Sequence, residues 1–284
     1  MEKQKIKNVI EKLKSLDLST YPVEDVRKLL MEFQLTIPII AATLEPGRII
    51  VRGTPYIKFE KFSQVSRLSY KPQDLNKSYQ RASTLQENMF YGRLTSEIPT
   101  EPCARMCVLA EIGKVYRKNA ASEKLMFSSW QVIKPIKLVA VLQSQNYIRP
   151  CQKVISLQTQ YREKFKNLSS KEIMDYIASE FAKEDVGEKE DYKYIISACY
   201  TKMVCDSGYD GVAYPSVRID GAGINVAIKP DAVNQKLNFL GAVECDVTRK
   251  KKDISIKNKY VSFLKEDGTL GYRPITNRDY NTNI

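Results

Sequence analysis

The sequence predicts a mixed α/β domain of the α+β type that is preceded by a helical hairpin. Apolar residues recur at helical spacing over residues 3–16, and again up to residue 33, which predicts two amphipathic helices. From residue 48 onward, short β-branched runs bounded by glycine or proline predict strands. With 284 residues, 43% of them hydrophobic, the chain can bury a substantial core.

These patterns divide the chain into three segments. We expect an N-terminal helical extension at 1–45, a main domain at 46–248 and a basic C-terminal tail at 249–284. Residues 60–88 are polar and have little periodicity, so we expect a long loop there with at most a helical turn. The predicted strands of the main domain are 48–53, 89–91, 125–133, 136–143, 211–217, 224–228 and 237–247, with a late strand at 260–264 and helices at 102–116, 169–183 and 191–206.

The composition excludes several classes of function. Since the chain contains no histidine, Ser-His-Asp hydrolases, Cys-His hydrolases and zincins are excluded. The six cysteines form no CxxC pair, so we expect reduced thiols and no metal site. We expect a cytoplasmic protein without a membrane span, because no apolar run approaches the roughly 20 residues that a span requires. The net charge of +12 favours an anionic partner.

Glu111 is the most unusual residue of the main domain. It is a carboxylate within the otherwise apolar helix predicted at 102–116, where it must be paired, protonated or used. A carboxylate in a site without histidine can stabilise an oxocarbenium-like transition state. The alternative interpretation is a structural ion pair with one of the many basic side chains.

The remaining candidate residues also have structural interpretations. Arg81 suits a pyrophosphate because its planar fork makes paired bonds to phosphate oxygens, but it also fits a solvated loop. Tyr91 offers a ring for stacking and a hydroxyl for orientation, or packs in the core. Ser216 follows Pro215 at a strand end, where a serine is commonly a cap. Arg52 is a second candidate ligand for a phosphate or a ribose.

The order of these residues resembles one known family. Arg81 with a small residue after it, Phe90-Tyr91-Gly92 in a strand, Glu111 in the next helix and the run Tyr-Pro-Ser216 follow one another. Asn225 to Pro230 then resembles the family's Asn-Pro turn. Together these pieces, spread over about residues 48–247, resemble the RES domain, which is named for an arginine, a glutamate and a serine.

The resemblance implies an ADP-ribosyltransferase-like fold, with a pair of small mixed sheets and flanking helices, that holds NAD⁺ as substrate. The implied activity is cleavage of the nicotinamide–ribose bond by phosphate or by water, as in toxin or defence proteins of the RES type. Glu111, Arg81, Tyr91 and Ser216 take the catalytic positions, and Arg52 and Asn225 join the last three in binding NAD⁺. Inorganic phosphate is the implied co-substrate, and an antitoxin or immunity protein and a second copy of the chain are the partners consistent with it.

Three other interpretations stay open. A protein ADP-ribosyltransferase would use the same pocket, because both reactions share the first bond-breaking step. A basic nucleic-acid-binding protein would explain the charge and the seventeen tyrosines, but no zinc finger or RNP-like string supports it. A non-catalytic interaction protein would keep the fold without the chemistry.

Overall fold

The computed structural model describes residues 2–32, 39–57, 61–95, 104–118, 120–143, 147–164, 170–184, 186–187 and 189–276. The chain forms two compact units, each assembled from separate stretches of sequence. The first unit comprises Met1–Thr43, Pro72–Met89 and Lys137–Pro230, and the second comprises Leu44–Lys71, Phe90–Ile136 and Asp231–Ile284. This division cuts across the three predicted segments.

Groups of helices and groups of strands follow one another along the described chain. The helices are α1 (Glu2–Ser15), α2 (Val23–Met31), α3 (Ala104–Ile112), α4 (Lys114–Arg117), α5 (Gln152–Lys164), α6 (Ser170–Phe181), α7 (Ile195–Asp206) and α8 (Pro230–Lys236). The strands are β1 (Ala41–Leu44), β2 (Ile49–Pro55), β3 (Phe90–Leu94), β4 (Ser122–Val132), β5 (Ile136–Ala140), β6 (Gly211–Pro215), β7 (Ile224–Ile228), β8 (Leu237–Lys250), β9 (Asp253–Leu264) and β10 (Leu270–Pro274). Single 3₁₀ turns lie at Leu18–Thr20, Val65–Leu68, Gln73–Leu75 and Asp191–Tyr194. The predicted mixed α+β class is confirmed.

The first unit packs helices beside a mixed sheet. Its strands lie in the order β1-β5-β6-β7, with β5 and β6 parallel and β6 and β7 antiparallel. The predicted N-terminal hairpin is present, with α1 packed on α6 and α2 on α7. Its apolar stripes are buried, as the helical spacing predicts; the buried members are Ile6, Val9, Ile10, Leu13, Val26 and Leu30. Within this unit, the hairpin covers the helical core.

The second unit is an antiparallel sheet in the order β3-β2-β4-β8-β9-β10. Helix α3 packs on one face of this sheet, against β2 and β3. At Gly53 the approach is so close that a Cβ atom would lie 2.5 Å from a side-chain carbon of Val108. A glycine at this position of β2 therefore sets the distance between helix and sheet.

The helix predicted at 102–116 is divided at Gly113. Its backbone is extended there, and the next short helix, α4, begins at Lys114. The carboxylate of Glu123 accepts hydrogen bonds from the backbone N–H groups of Lys114 and Val115, at 3.0 and 2.8 Å. An acceptor from a neighbouring strand thus satisfies N–H groups that a continuous helix would bond internally.

Much of the predicted basic tail at 249–284 differs from a polar tail, because most of its described residues, 249–276, belong to strands. Strand β8 runs on to Lys250, and a two-residue turn at Lys251 and Lys252 leads into β9. Lys251 adopts the left-handed conformation, with φ 56°, that such tight hairpins use. Ile254 and Ile256 alternate with polar residues along β9 and pack against the core of the second unit. Alternation of this kind, and not the lysine content, decides the structure.

Two of the observed helices, α5 and α8, were not predicted. In addition, two residues on which predictions rest lie outside the described residues. Helix α5 buries Val154, Leu157 and Tyr161, and α8 begins with Pro230 at its first position. The helix predicted at 169–183 begins at residue 169, and one of the six cysteines is Cys103; both residues lie outside the described part.

Candidate functional site

Arg81 occupies a tight turn in the first unit. Gln80 and Ser83 exchange backbone hydrogen bonds of 3.0 and 3.1 Å, so Arg81 and Ala82 form a two-residue turn between them. The Ser83 hydroxyl also accepts a hydrogen bond of 2.9 Å from the Met89 backbone N–H. The predicted polar loop is therefore locally ordered around Arg81, which fixes the direction in which the arginine leaves the backbone.

The guanidinium of Arg81 is partly desolvated and incompletely bonded. Nη2 donates a 3.0 Å hydrogen bond to the carbonyl oxygen of Lys183. The Cζ atom lies 5.5 Å from the ring centroid of Tyr194 and 6.0 Å from that of Tyr214, within the range of cation–π contacts. Nη1 is buried and has no hydrogen-bond partner among the described residues. A buried N–H donor without an acceptor is energetically unfavourable, and an anion bonded to it would relieve that cost.

Ser216 and Asn225 share the strand face on which Tyr214 lies. Tyr214 of β6 is directly opposite Asn225 of β7, and side chains at opposed positions of an antiparallel pair lie on the same face. Ser216 is two residues beyond Tyr214, and its backbone N–H continues the pairing with a 2.9 Å bond to the Gly223 carbonyl. Ser216 is fully buried and Asn225 is 8% exposed. The Tyr214 ring thus links the Arg81 guanidinium to the strand pair that carries Asn225 and leads to Ser216.

Arg52 is the corresponding basic residue of the second unit. Its Nη1 donates a 2.7 Å hydrogen bond to the carbonyl oxygen of Tyr91, and its Cζ lies 5.3 Å from the Phe90 ring centroid. Its Nε is buried and lacks a hydrogen-bond partner within the described part of the chain. Burial lowers the pKa of the Arg52 guanidinium to about 10, so the group remains cationic at neutral pH.

Within the second unit, Tyr91 and Glu111 belong to one face of the sheet and Arg52 belongs to the other. Val51 is buried against α3 and lies opposite Arg93 in the β2–β3 pair. Tyr91, two residues before Arg93, therefore points to the face that α3 covers, and Glu111 lies in α3 itself. Arg52 alternates with Val51 and Gly53, so its side chain leaves the opposite face. The strand pairing therefore does not place the Arg52 side chain on the α3 face, although its guanidinium donates a hydrogen bond to the main-chain carbonyl of Tyr91.

Two tyrosines complete the surroundings of Arg81 but were not among the predicted site residues. Tyr214 had a signal, because it precedes Ser216 by two residues in a predicted strand and so shares its face. Tyr194 had none, since it lies in a 3₁₀ turn that precedes α7 and reaches Arg81 only through the tertiary structure.

The cysteine and acidic side chains were considered as possible metal ligands. The described residues include five cysteines, which are free and buried: Cys107, Cys151, Cys199, Cys205 and Cys245. The described residues contain no cluster of three or more His, Cys, Asp or Glu side chains that could hold a metal ion.

Among the described helices, none has the length and apolar character needed to cross a membrane.

The chain was also compared with known proteins. No protein-family model matches the sequence, and none of the curated proteins matches it either.

Proposed function

We propose that the chain degrades NAD⁺ by cleaving the bond between nicotinamide and ribose. The observation that carries this proposal is the Arg81 guanidinium, which has a buried, unbonded Nη1 beside the rings of Tyr194 and Tyr214. A planar cation with a free donor suits a phosphate oxygen, and aromatic walls suit the flat rings of a dinucleotide. Ser216 and Asn225 add polar groups in the same locality.

The proposed reaction needs neither a metal nor a histidine. Nicotinamide carries the positive charge of NAD⁺ and leaves as a neutral molecule, so no general acid has to protonate it. The electron pair of the C–N bond departs with nicotinamide, and the ribose carbon becomes oxocarbenium-like. Glu111 is the proposed carboxylate that stabilises this charge, and Tyr91 the proposed partner of nicotinamide.

The product depends on which nucleophile reaches the ribose carbon. Water gives ADP-ribose and a proton, whereas inorganic phosphate gives ADP-ribose 1''-phosphate. A protein side chain as acceptor would give ADP-ribosylated protein after the same bond cleavage. All three reactions release one nicotinamide for each NAD⁺ consumed.

Product chromatography tests the proposal. Purified protein is incubated with NAD⁺ in phosphate buffer and in a phosphate-free buffer, and nicotinamide, ADP-ribose and ADP-ribose 1''-phosphate are quantified. We expect nicotinamide in at least one buffer, and the second product identifies the nucleophile. Intact NAD⁺ in both buffers, with the protein shown to be folded by circular dichroism, would refute the proposal. Nicotinamide release with neither soluble product would redirect it toward transfer to protein.

A further inference from the structure

The turn that joins α1 to α2 reaches the surroundings of Arg81. Tyr21, at the end of the 3₁₀ turn Leu18–Thr20, has a left-handed backbone with φ 55°. This conformation is strained for a residue other than glycine, so other contacts must hold it. The Tyr21 hydroxyl donates a 2.6 Å hydrogen bond to Oδ1 of Asp191, and its ring lies 6.2 Å from that of Tyr79.

Asp191 connects the turn between α1 and α2 to the segment that carries Arg81 and to the turn that carries Tyr194. Its second oxygen, Oδ2, accepts a 2.8 Å hydrogen bond from the backbone N–H of Tyr79, two residues before Arg81. Asp191 also begins the 3₁₀ turn that ends at Tyr194, whose ring faces the Arg81 guanidinium. One carboxylate therefore fixes the segment that carries the arginine and the segment that carries its aromatic neighbour.

We propose that Asp191 is a positioning residue for Arg81 and that Tyr21 makes this positioning depend on the N-terminal helical hairpin. The role in NAD⁺ binding rests on the function proposed above, whereas the ordering of residues 79–81 does not. Asp191 touches no ligand in this proposal. It acts by holding Tyr79 and the 191–194 turn, so that the unbonded Nη1 of Arg81 keeps one orientation. The arginine side chain then loses little conformational entropy when a phosphate binds.

The test compares Asp191→Ala, Tyr21→Phe and Arg81→Ala with the double variant Asp191→Ala/Arg81→Ala. Calorimetry gives the Kd for NAD⁺, and steady-state assays separate KM from kcat. Loss of bonds to a charged group predicts about a tenfold or greater rise in Kd and KM for Asp191→Ala, with kcat changed less. Tyr21→Phe removes one of the two bonds and should show a smaller rise in the same direction.

The double variant distinguishes positioning from general destabilisation. If Asp191 acts through Arg81, its removal should add little once Arg81 is absent, because coupled residues are not additive. Fully additive effects, or an unchanged Kd in Asp191→Ala, would overturn the proposal. Asp206→Ala and Tyr116→Phe serve as matched controls, because both positions are solvent-exposed and lie outside this cluster. Tyr21→Phe is the informative variant if Asp191→Ala fails to fold.

Hydrogen exchange provides a measurement that does not depend on NAD⁺. We expect faster exchange in the peptide that contains the Tyr79 amide in both Asp191→Ala and Tyr21→Phe, and unchanged exchange in the controls. If wild-type protein neither binds nor consumes NAD⁺, the proposed function fails, and this exchange alone decides the positioning. Unchanged exchange at Tyr79 in both variants would overturn the link from Tyr21 through Asp191 to Arg81.

Discussion

Arg81 and Arg52 carry the buried donors that indicate a binding role. Nη1 of Arg81 and Nε of Arg52 are buried without a hydrogen-bond partner among the described residues. Arg81 is bordered by tyrosine rings and a main-chain carbonyl, and Arg52 by Phe90 and a main-chain carbonyl. Neither surrounding could be predicted from the sequence, because Lys183, Tyr194 and Tyr214 are remote from Arg81 along the chain.

The Arg81 assignment predicts a specific loss of affinity. Arg81→Ala should weaken NAD⁺ binding by about 1.5–3 kcal/mol, the typical contribution of hydrogen bonds to a charged group. Isothermal calorimetry measures the change, and Arg117→Ala, at an exposed arginine of α4, is the matched control. Equal affinity of wild type and Arg81→Ala would move the phosphate contact elsewhere, with Arg52 as the next candidate.

The buried thiols should be unreactive in the folded protein. Burial raises the pKa of Cys199 to about 11 and the pKa values of Cys205 and Cys245 to about 12. Since only the thiolate reacts, about one Cys199 thiol in a thousand is ionised at pH 8. Alkylation with iodoacetamide followed by peptide mass spectrometry should find these three cysteines unmodified in native protein and modified in denaturant. Rapid native labelling of any of them would contradict the observed burial.

Among the elements, local patterns of apolar residues predicted part of the fold. The hairpin α1–α2, the helices α6 and α7 and the strands β6, β7 and β8 all follow from local patterns of apolar residues. Helix α5 was missed because glutamines dilute its apolar stripe of Val154, Leu157 and Tyr161. Strand β9 was mostly missed because its lysines conceal the alternation of Ile254 and Ile256. Strand order and register depend on contacts remote in sequence and could not be predicted.

A substitution at Gly211 tests the close packing of the hairpin of β6 and β7, which carries Asn225 and leads to Ser216. Its φ is 149°, and a Cβ atom would lie 1.9 Å from the backbone oxygen of Ala227. Since backbone cannot move aside as a side chain can, Gly211→Ala should destabilise the protein by at least about 3 kcal/mol. Gly208→Ala is the control, because φ is 93° and nothing lies within 4 Å, so only conformational strain of about 1–2 kcal/mol applies there. Urea denaturation measures both, and equal losses would contradict the predicted overlap.

For the whole molecule, charge and the distribution of candidate residues are the relevant features. Arg81, Ser216 and Asn225 belong to the first unit, whereas Arg52, Tyr91 and Glu111 belong to the second. Local patterns and order along the chain singled out these six residues, but neither can be converted into distances between them. The net charge of +12 is likewise a property of the whole chain and fits several anionic partners.

Substitutions in the basic turn between β8 and β9 test whether NAD⁺ or nucleic acid accounts for this charge. Lys250, Lys251 and Lys252 are exposed, and the triple change to glutamine removes three charges without touching a candidate site residue. We expect NAD⁺ turnover to stay within about twofold of wild type, and oligonucleotide binding to be weak and to fall steeply with salt. Electrophoretic mobility shifts over a range of salt concentrations measure this. Tight, sequence-selective binding at physiological salt would favour the nucleic-acid interpretation.

The most direct test measures nicotinamide release and melting temperature for wild type and Glu111→Gln on matched preparations. The amide keeps the shape of the carboxylate but removes the charge that opposes the oxocarbenium, so we expect release by wild type and about a hundredfold or greater loss in the variant. NAD⁺ binding and the melting temperature should be retained. Normal turnover at reduced melting temperature would make Glu111 a structural ion-pair partner, and equal absence of release from both folded proteins would contradict NAD⁺ cleavage.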